Sequence, residues 1–480
     1  MDTRESEIDL QGGGESRIPG EDTPLEVSPD PAAPAAADET IILEPPAFLE
    51  SSEQGYIGAH AISPAHPNIL LMHASVGSGH RSAAEAIANA LRLQIAAGDK
   101  VSPQQPDDIY VEVLDSLRFA RWYIDGNKTA SGFVGPTRPF YDVTWRYGFT
   151  GFLLWNGGGQ WLRVMFPMFK RWVAINKPAA IVCTHITAAN IAVGARMMTR
   201  QTFPIVCVPT DYEVEGQWPH LYADLFCCAS EYMAETLRAR RVPEHRIQVT
   251  GIPVNPQFTL EFDPVAARKK WNLPEGKKIA LVLAGAKLPK PYQRFRETLF
   301  DLMPRIHKLP DIEFVFVAGS DEEYVDRLKQ QIDVENLTNV RVLGYVTEMA
   351  ELMSACDFAI CKAGGLTVTE CLCAKTPMIL VGKAYGQEKV NVRLLTSLGA
   401  ALHVQTAREL YETLNYVSRS EYGLKSLVMN GAMIRRPNAA ADIAHSTLEL
   451  AYGSMTQAGL EERMAHHFFL GVGGPPAHTR

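Results

Sequence analysis

The 480-residue sequence contains no run of eighteen consecutive apolar residues, so no helix is expected to span a bilayer. The acidic opening segment is not expected to be a secretory signal, because it has no apolar h-region. Cysteine is sparse: there are eight, none in a Cys-x-x-Cys pair. That excludes a disulfide framework and places the cysteines, including Cys227-Cys228 and Cys371/Cys373, reduced in or beside the core of a cytoplasmic protein. No Asp-x-Asp motif is positioned to hold a metal, and no metal ligands are expected.

A strong net charge is missing too, but the value of −8 is an average over unlike regions. Residues 1–53 carry fourteen acidic side chains against Arg4 and Arg17, a local charge of 2 − 14 = −12. The other 427 residues therefore sum to −8 + 12 = +4. The acidic stretch holds seven prolines and little apolar surface to offset its ordering entropy. Residues 1–66 are expected to be disordered.

From Pro67 onward, short apolar runs alternate with glycine turns and helical segments. Strands are expected at 68–74, 109–114, 179–183, 204–208 and 225–228, then at 278–283, 312–317, 340–343, 358–361 and 378–381. Their near-continuous hydrophobicity suits parallel sheets covered on both faces. Two successive arrays imply two doubly wound Rossmann-like α/β domains facing a central cleft. The expected divisions are 67–255 and 256–465, followed by a flexible tail at 466–480. Pro253, Pro256 and Pro264 punctuate the boundary.

Residues 116–172 break the pattern. They contain fifteen of the 42 aromatics, five of the seven tryptophans, and eight Lys/Arg against Asp125 and Asp142. Amphipathic rings with cations suit an anionic membrane surface. An aromatic core insertion with a basic face and a single-stranded nucleic-acid groove use the same residues. The membrane reading is preferred, and no nucleic-acid partner is expected because no other basic patch supports one.

Three turns carry candidate chemistry. Gly77-Ser-Gly-His80 follows the first strand and opens a helix, whose free N–H groups favour an anion and keep His80 neutral as a general base. The other reading is structural glycines beside an idle histidine. A dinucleotide fingerprint is incomplete, since the acid ending the second strand, Asp115, lies thirty-six residues after Gly79. The second turn, Gly364-Gly-Leu-Thr367, offers backbone N–H groups to a phosphate. Glu370 is then either a ribose ligand or a helix-start charge. The third, Gly386-Gln-Glu388, pairs two sugar-hydroxyl readers that also suit capping.

In this order, GSGHRSAAEAI, TDYEVEGQW, VTGIPVNPQF, GYVTEMAELMSACDFAICKAGGLTVTE and GQEKVNV resemble the GT-B diacylglycerol glycosyltransferases. That family includes monogalactosyldiacylglycerol synthase and the processive diacylglycerol glucosyltransferases, and is related to the lipid I N-acetylglucosaminyltransferase. The resemblance spans about residues 67–435. It implies inverting transfer of a hexose from UDP-glucose or UDP-galactose to diacylglycerol or a similar membrane lipid, with no tightly bound cofactor. It further implies His80 as catalytic base, Asp211 facing the cleft and Val346 at the uracil-reading strand end. Gly364, Gly365, Leu366 and Thr367 would cradle the pyrophosphate, Glu370 the ribose, and Gln387 with Glu388 the donor sugar. The expected location is cytoplasmic, peripheral to the inner face of the cell membrane.

Two positions depart from the family pattern: Glu215 stands where histidine is usual, and the loop 284–291 is less glycine-rich. Lys287 and Lys362 are candidate cations for the departing diphosphate. Competing readings are an NAD(P)-dependent oxidoreductase using Gly77/Gly79, a UDP-sugar 2-epimerase on the same fold, and a non-enzymatic sugar-nucleotide sensor.

Overall fold

The two arrays expected from the sequence are present as two six-stranded parallel sheets. The computed structural model describes residues 68–75, 78–121, 165–214, 217–285, 293–384 and 386–453. The expected disordered segment 1–66, the tail 466–480, most of the aromatic window, Gly77, Glu215 and Lys287 lie outside the described residues.

The first sheet comprises β1 (Asn68–His73), β2 (Tyr110–Asp115), β3 (Ala180–Cys183), β4 (Ile205–Cys207), β5 (Leu225–Cys228) and β6 (Ile247–Val249). Their spatial order is β2-β1-β3-β4-β5-β6. The second holds β7 (Lys278–Leu283), β8 (Ile312–Val317), β9 (Val340–Leu343), β10 (Phe358–Cys361), β11 (Met378–Val381) and β12 (Ala401–Val404), ordered β12-β11-β10-β7-β8-β9. Each sheet begins at an interior strand and reverses direction there. Leu70 of β1 lies opposite both Glu112 and Ile181, and Val282 of β7 opposite both Ile360 and Phe316. Such reversals open a crevice beyond the carboxyl ends of the strands.

Interior strands such as β1, β3, β8 and β10 are buried along their whole length. That is why continuous apolar runs revealed them. The sequence reading missed β6 and β12. Both are edge strands with only partial burial, interrupted by Gln248 and His403 respectively. One apolar cluster joins Leu70 and Ile181 of the first half to Leu281 and Ala359 of the second. All eight cysteines are buried and free.

Six of the helices flanking these sheets are α1 (Gly79–Ala97), α2 (Pro167–Asn176), α3 (Ile186–Thr199), α4 (Gly365–Cys373), α5 (Glu388–Ser397) and α6 (Ala439–Tyr452). The expected second domain, 256–465, includes α6, yet α6 packs on the first sheet. Its face of Ala440, Ile443, Ala444 and Leu448 joins Ile69, Leu71, Ile87 and Leu91 in one core. Ser446 donates to Gln248 at 2.8 Å, and Gln94 to the Ala441 carbonyl at 2.9 Å. Without α6 this apolar face of the first half would meet water, so the chain crosses back to cover it. Gly251 lies against the crossing segment with φ +94°, and a Cβ there would come 2.4 Å from the Cβ of Arg436.

The described edges of the 116–172 window also correct one expectation. Phe119, Phe166, Phe169 and Trp172 are all buried, with Phe169 stacked parallel to Trp172 at 6.0 Å. These four rings are core rather than interface, whereas Lys170 and Arg171 on the same helix are exposed.

Ile443 has no solvent exposure. Ile443→Ala is expected to destabilise the protein by about 2–5 kcal/mol, read as a lowered urea midpoint. Glu449→Ala, on the outer face of the same helix, should leave the midpoint unchanged.

Candidate active site at the facing helix starts

His80 is the second residue of α1 and therefore projects from the carboxyl end of β1. No side chain caps this helix, so its first N–H groups stay available. The His80 Nδ1 lies 2.9 Å from the carbonyl of Thr184, at the end of β3, and 2.9 Å from Oγ1 of Thr210. A carbonyl only accepts, so Nδ1 carries the ring proton and Nε2 bears the lone pair. Thr184 Oγ1 donates in return to the His80 carbonyl at 2.8 Å, fixing the backbone. Burial, reinforced by nearby His73 against the Thr184 bond, lowers the His80 pKa to about 4. Burial thus keeps His80 neutral.

Asp115, considered as a ribose ligand, is committed elsewhere. Its carboxylate accepts from the Ser75 hydroxyl, from the Ser75 N–H at 3.3 Å and from the Leu117 N–H at 3.0 Å. It ties down the chain leaving β1.

Across from His80, α4 starts at Gly365 with Gly364 as an extended N-cap and no capping side chain. The N–H groups of Gly365, Leu366 and Thr367 are therefore those that an incoming anion would meet. The two helix starts abut: a Cβ on Gly79 would lie 3.7 Å from the Leu366 Cβ. A Cβ on Gly365 would come 2.0 Å from the Thr210 carbonyl oxygen and 2.9 Å from Asp211 Oδ1. Only glycine permits that approach.

Asp211 is therefore brought to the mouth of α4 from the other half of the molecule. Burial pushes its carboxyl up to about 7, with Glu388 adding to the rise and Asn391, Lys362 and Gln387 opposing it. Glu370 stands at the sixth position of α4, beyond the first turn, so the helix-start reading does not hold for it. Its carboxyl is pushed up to about 7 by burial alone, and no hydrogen bond engages it among the described residues.

Glu388 opens α5 and is 7% exposed, ion-paired with Lys362 Nζ at 2.6 Å. Burial alone would lower the Lys362 pKa, but Glu388 and Asp211 outweigh it and raise it. Gln387 precedes Glu388 as the N-cap of α5. Beside this pair lies a shallow depression lined by Arg294, Lys362, Gly382, Lys383, Glu388 and His403. Val346 is half-buried past the end of β9, next to exposed Tyr345. Among the described residues, no group of three or more His, Cys, Asp or Glu side chains is arranged to hold a metal ion.

Sequence reasoning missed Asn391, the residue that fastens these parts together. Fully buried on α5, it donates to Asp211 Oδ1 at 2.8 Å and to the Ala363 carbonyl at 2.9 Å. It also accepts from the Tyr212 N–H at 3.0 Å. Its spacing of four from Gln387, one helical turn on the same face, was the available signal. Thr210 and Thr369 were also overlooked; Thr369 meets the Tyr212 hydroxyl at 3.0 Å.

The pH dependence of stability follows from Asp211. Unfolded, its carboxyl titrates near 4; folded, at about 7. Between those values the folded protein holds a proton that the unfolded chain has released, so rising pH erodes stability. Asp211→Asn lacks this penalty while keeping an oxygen for Asn391. Its stability advantage over the unaltered protein should grow from pH 4 to 7 and level off above, measured by urea unfolding across that range.

Residues 80–254 match the family model of monogalactosyldiacylglycerol (MGDG) synthase, and residues 295–433 that of the glycosyltransferase family 28 C-terminal domain. The chain is 29% identical over 254 residues to a processive diacylglycerol beta-glucosyltransferase of Bacillus subtilis, covering 53% of this chain and 65% of that one. It is 25% identical over 393 residues to the protein of the same name from Bacillus thuringiensis, covering 80% and 94%. Among solved structures, the S. aureus MnaA–UDP co-structure has a TM-score of 0.51 at 12% identity, over 79% of this chain and 94% of that one. That likeness concerns the fold, two parallel α/β halves. With the paired sheets and the facing helix starts, these matches make the chain similar to the monogalactosyldiacylglycerol synthases and processive diacylglycerol glucosyltransferases, on a two-domain α/β fold of the GT-B kind.

Proposed function

We propose that the protein transfers a hexose from a UDP-sugar to diacylglycerol or a similar membrane lipid, with inversion at the anomeric carbon. The observation that carries this reading is the position of Thr210. Its hydroxyl bonds the ring of His80, and its carbonyl abuts Gly365 at the start of α4. A neutral base and an uncapped helix N-terminus are thereby held against one another. Glycosyl transfer from a nucleotide sugar needs that pairing: one group to take the acceptor proton, the other to stabilise charge on the departing diphosphate.

In the step itself, the acceptor oxygen bonds to the anomeric carbon while His80 Nε2 takes the hydroxyl proton. The bond from that carbon to the diphosphate breaks, and UDP leaves with the electron pair. The N–H groups of Gly365, Leu366 and Thr367 receive the diphosphate. Glu370 is open to the ribose hydroxyls, and the backbone around Val346 to the uracil. Gln387 and Glu388 face the donor sugar, glucose or galactose. Lys362 acts through its pair with Glu388 rather than as an independent cation.

The oxidoreductase reading is not favoured, because Asp115 is bound to Ser75 and Leu117 and cannot serve as the ribose acid. The epimerase and the sensor lack support from the matched families. No described helix is long and apolar enough to cross a membrane. We place the protein at the inner face of the cell membrane, with the basic charge of 116–172 meeting anionic lipid.

Turnover of UDP-glucose and UDP-galactose with diacylglycerol vesicles, read by mass spectrometry, tests the activity; hydrolysis or oxidation products alone would refute it. His80→Ala should lower kcat by about 10²–10⁴-fold, with UDP affinity by calorimetry changed less than about twofold. Full transfer by that variant would remove the base assignment. Lys170→Gln should weaken flotation with anionic vesicles about fivefold, since each surface cation contributes about 1 kcal/mol. Neutral vesicles should show no difference.

A further inference from the structure

His185 follows β3 and is the N-cap of α3, with its ring beside that of His80. The centroids are 4.6 Å apart and the rings nearly perpendicular, at 85°. The His185 Nδ1 accepts the N–H of Thr187 at 3.1 Å. That bond fixes the tautomer: Nδ1 holds the lone pair and Nε2 carries the proton. His80 has the opposite arrangement, its Nδ1–H held by the Thr184 carbonyl.

Two adjacent histidines thus expose complementary atoms, a bare Nε2 on His80 and an Nε2–H on His185. Neither atom has a hydrogen-bond partner among the described residues. A hydroxyl group has matching needs, one hydrogen to give and lone pairs to receive. Rings this close are within reach of one oxygen bonded at about 2.8–3.0 Å to each.

We propose that His185 is a second catalytic residue, whose Nε2–H donates to the acceptor oxygen while His80 Nε2 receives that oxygen's proton. This deepens the glycosyl-transfer reading and rests on it. His185 gains and loses no proton in the step; its hydrogen bond aims the remaining lone pair at the anomeric carbon. Burial lowers the His185 pKa well below its ordinary value, and the neighbouring His80 and His73 lower it further, so the donor tautomer stays neutral. The groups around it are His73 from β1, His80 from α1, and Thr184 and Thr187 on its own segment.

Two substitutions separate this role from simple capping. His185→Asn offers an oxygen where Nδ1 lay, preserving the cap but deleting the Nε2–H. His185→Gln reaches the Nε2 position with an amide N–H but loses the cap. In the full-length protein with diacylglycerol vesicles, His185→Asn should keep its Tm and UDP affinity yet lose about 10–100-fold in kcat/KM for the lipid. His185→Gln should have the lower Tm and retain the greater kcat/KM. If activity instead follows stability, with Asn above Gln, or if His185→Asn transfers sugar normally, this inference is overturned while the transferase reading stands. Absence of transfer by the unaltered protein would overturn both.

Discussion

The backbone contact between Thr210 and Gly365 is the constraint on which the rest of the site depends. A carbonyl oxygen sits where any other residue would place its Cβ. The loop after β4 is therefore pressed against the first turn of α4, and everything attached to that loop is located by it. Thr210 holds His80, Asp211 reaches the helix mouth, and Tyr212 bonds both Asn391 and Thr369. Asn391 closes the arrangement with three bonds from one side chain. Burying such a group unpaired costs about 1–3 kcal/mol, so loop, glycine turn and α5 are set together.

Burial dominates the electrostatics of this region. It lowers His80 and His185 and raises Asp211 and Glu370. In each case the charged form is the one disfavoured. The consequence suits the proposed transfer: the His80 ring is neutral, and the carboxyls near α4 would not confront a diphosphate there with full negative charge. Lys362 is the exception, since the neighbouring Glu388 and Asp211 outweigh its loss of water.

The parts legible in the sequence were those determined locally. Interior strands are buried on both faces, so β7, β8, β10 and β11 were bounded correctly from apolar runs alone, as was the edge strand β9. His80, Gly365 and Glu370 stood out because glycine turns between strand and helix have few other uses. What remained hidden depends on distant partners. Nothing near α6 says that its alanine-rich face will cover β1 and α1, more than three hundred residues earlier in the chain. Asn391 and Thr210 look like ordinary polar residues until the two halves meet. Trp172 and its neighbours combine aromatic and basic character in a way that suited a membrane, whereas burial places the rings in the core and leaves only the charges outside. His185 reads as a helix cap, and its second nitrogen gains meaning only beside His80.

The central claim is that His80 on one half and the start of α4 on the other act on opposite sides of one anomeric carbon. The configuration of the product tests this most directly. UDP-glucose is α-linked, so a single displacement assisted by His80 must yield a β-glycoside. The anomeric proton of the glycolipid formed from UDP-glucose and diacylglycerol vesicles, observed by NMR, should be that of the β anomer. An α-linked glycolipid would contradict the account.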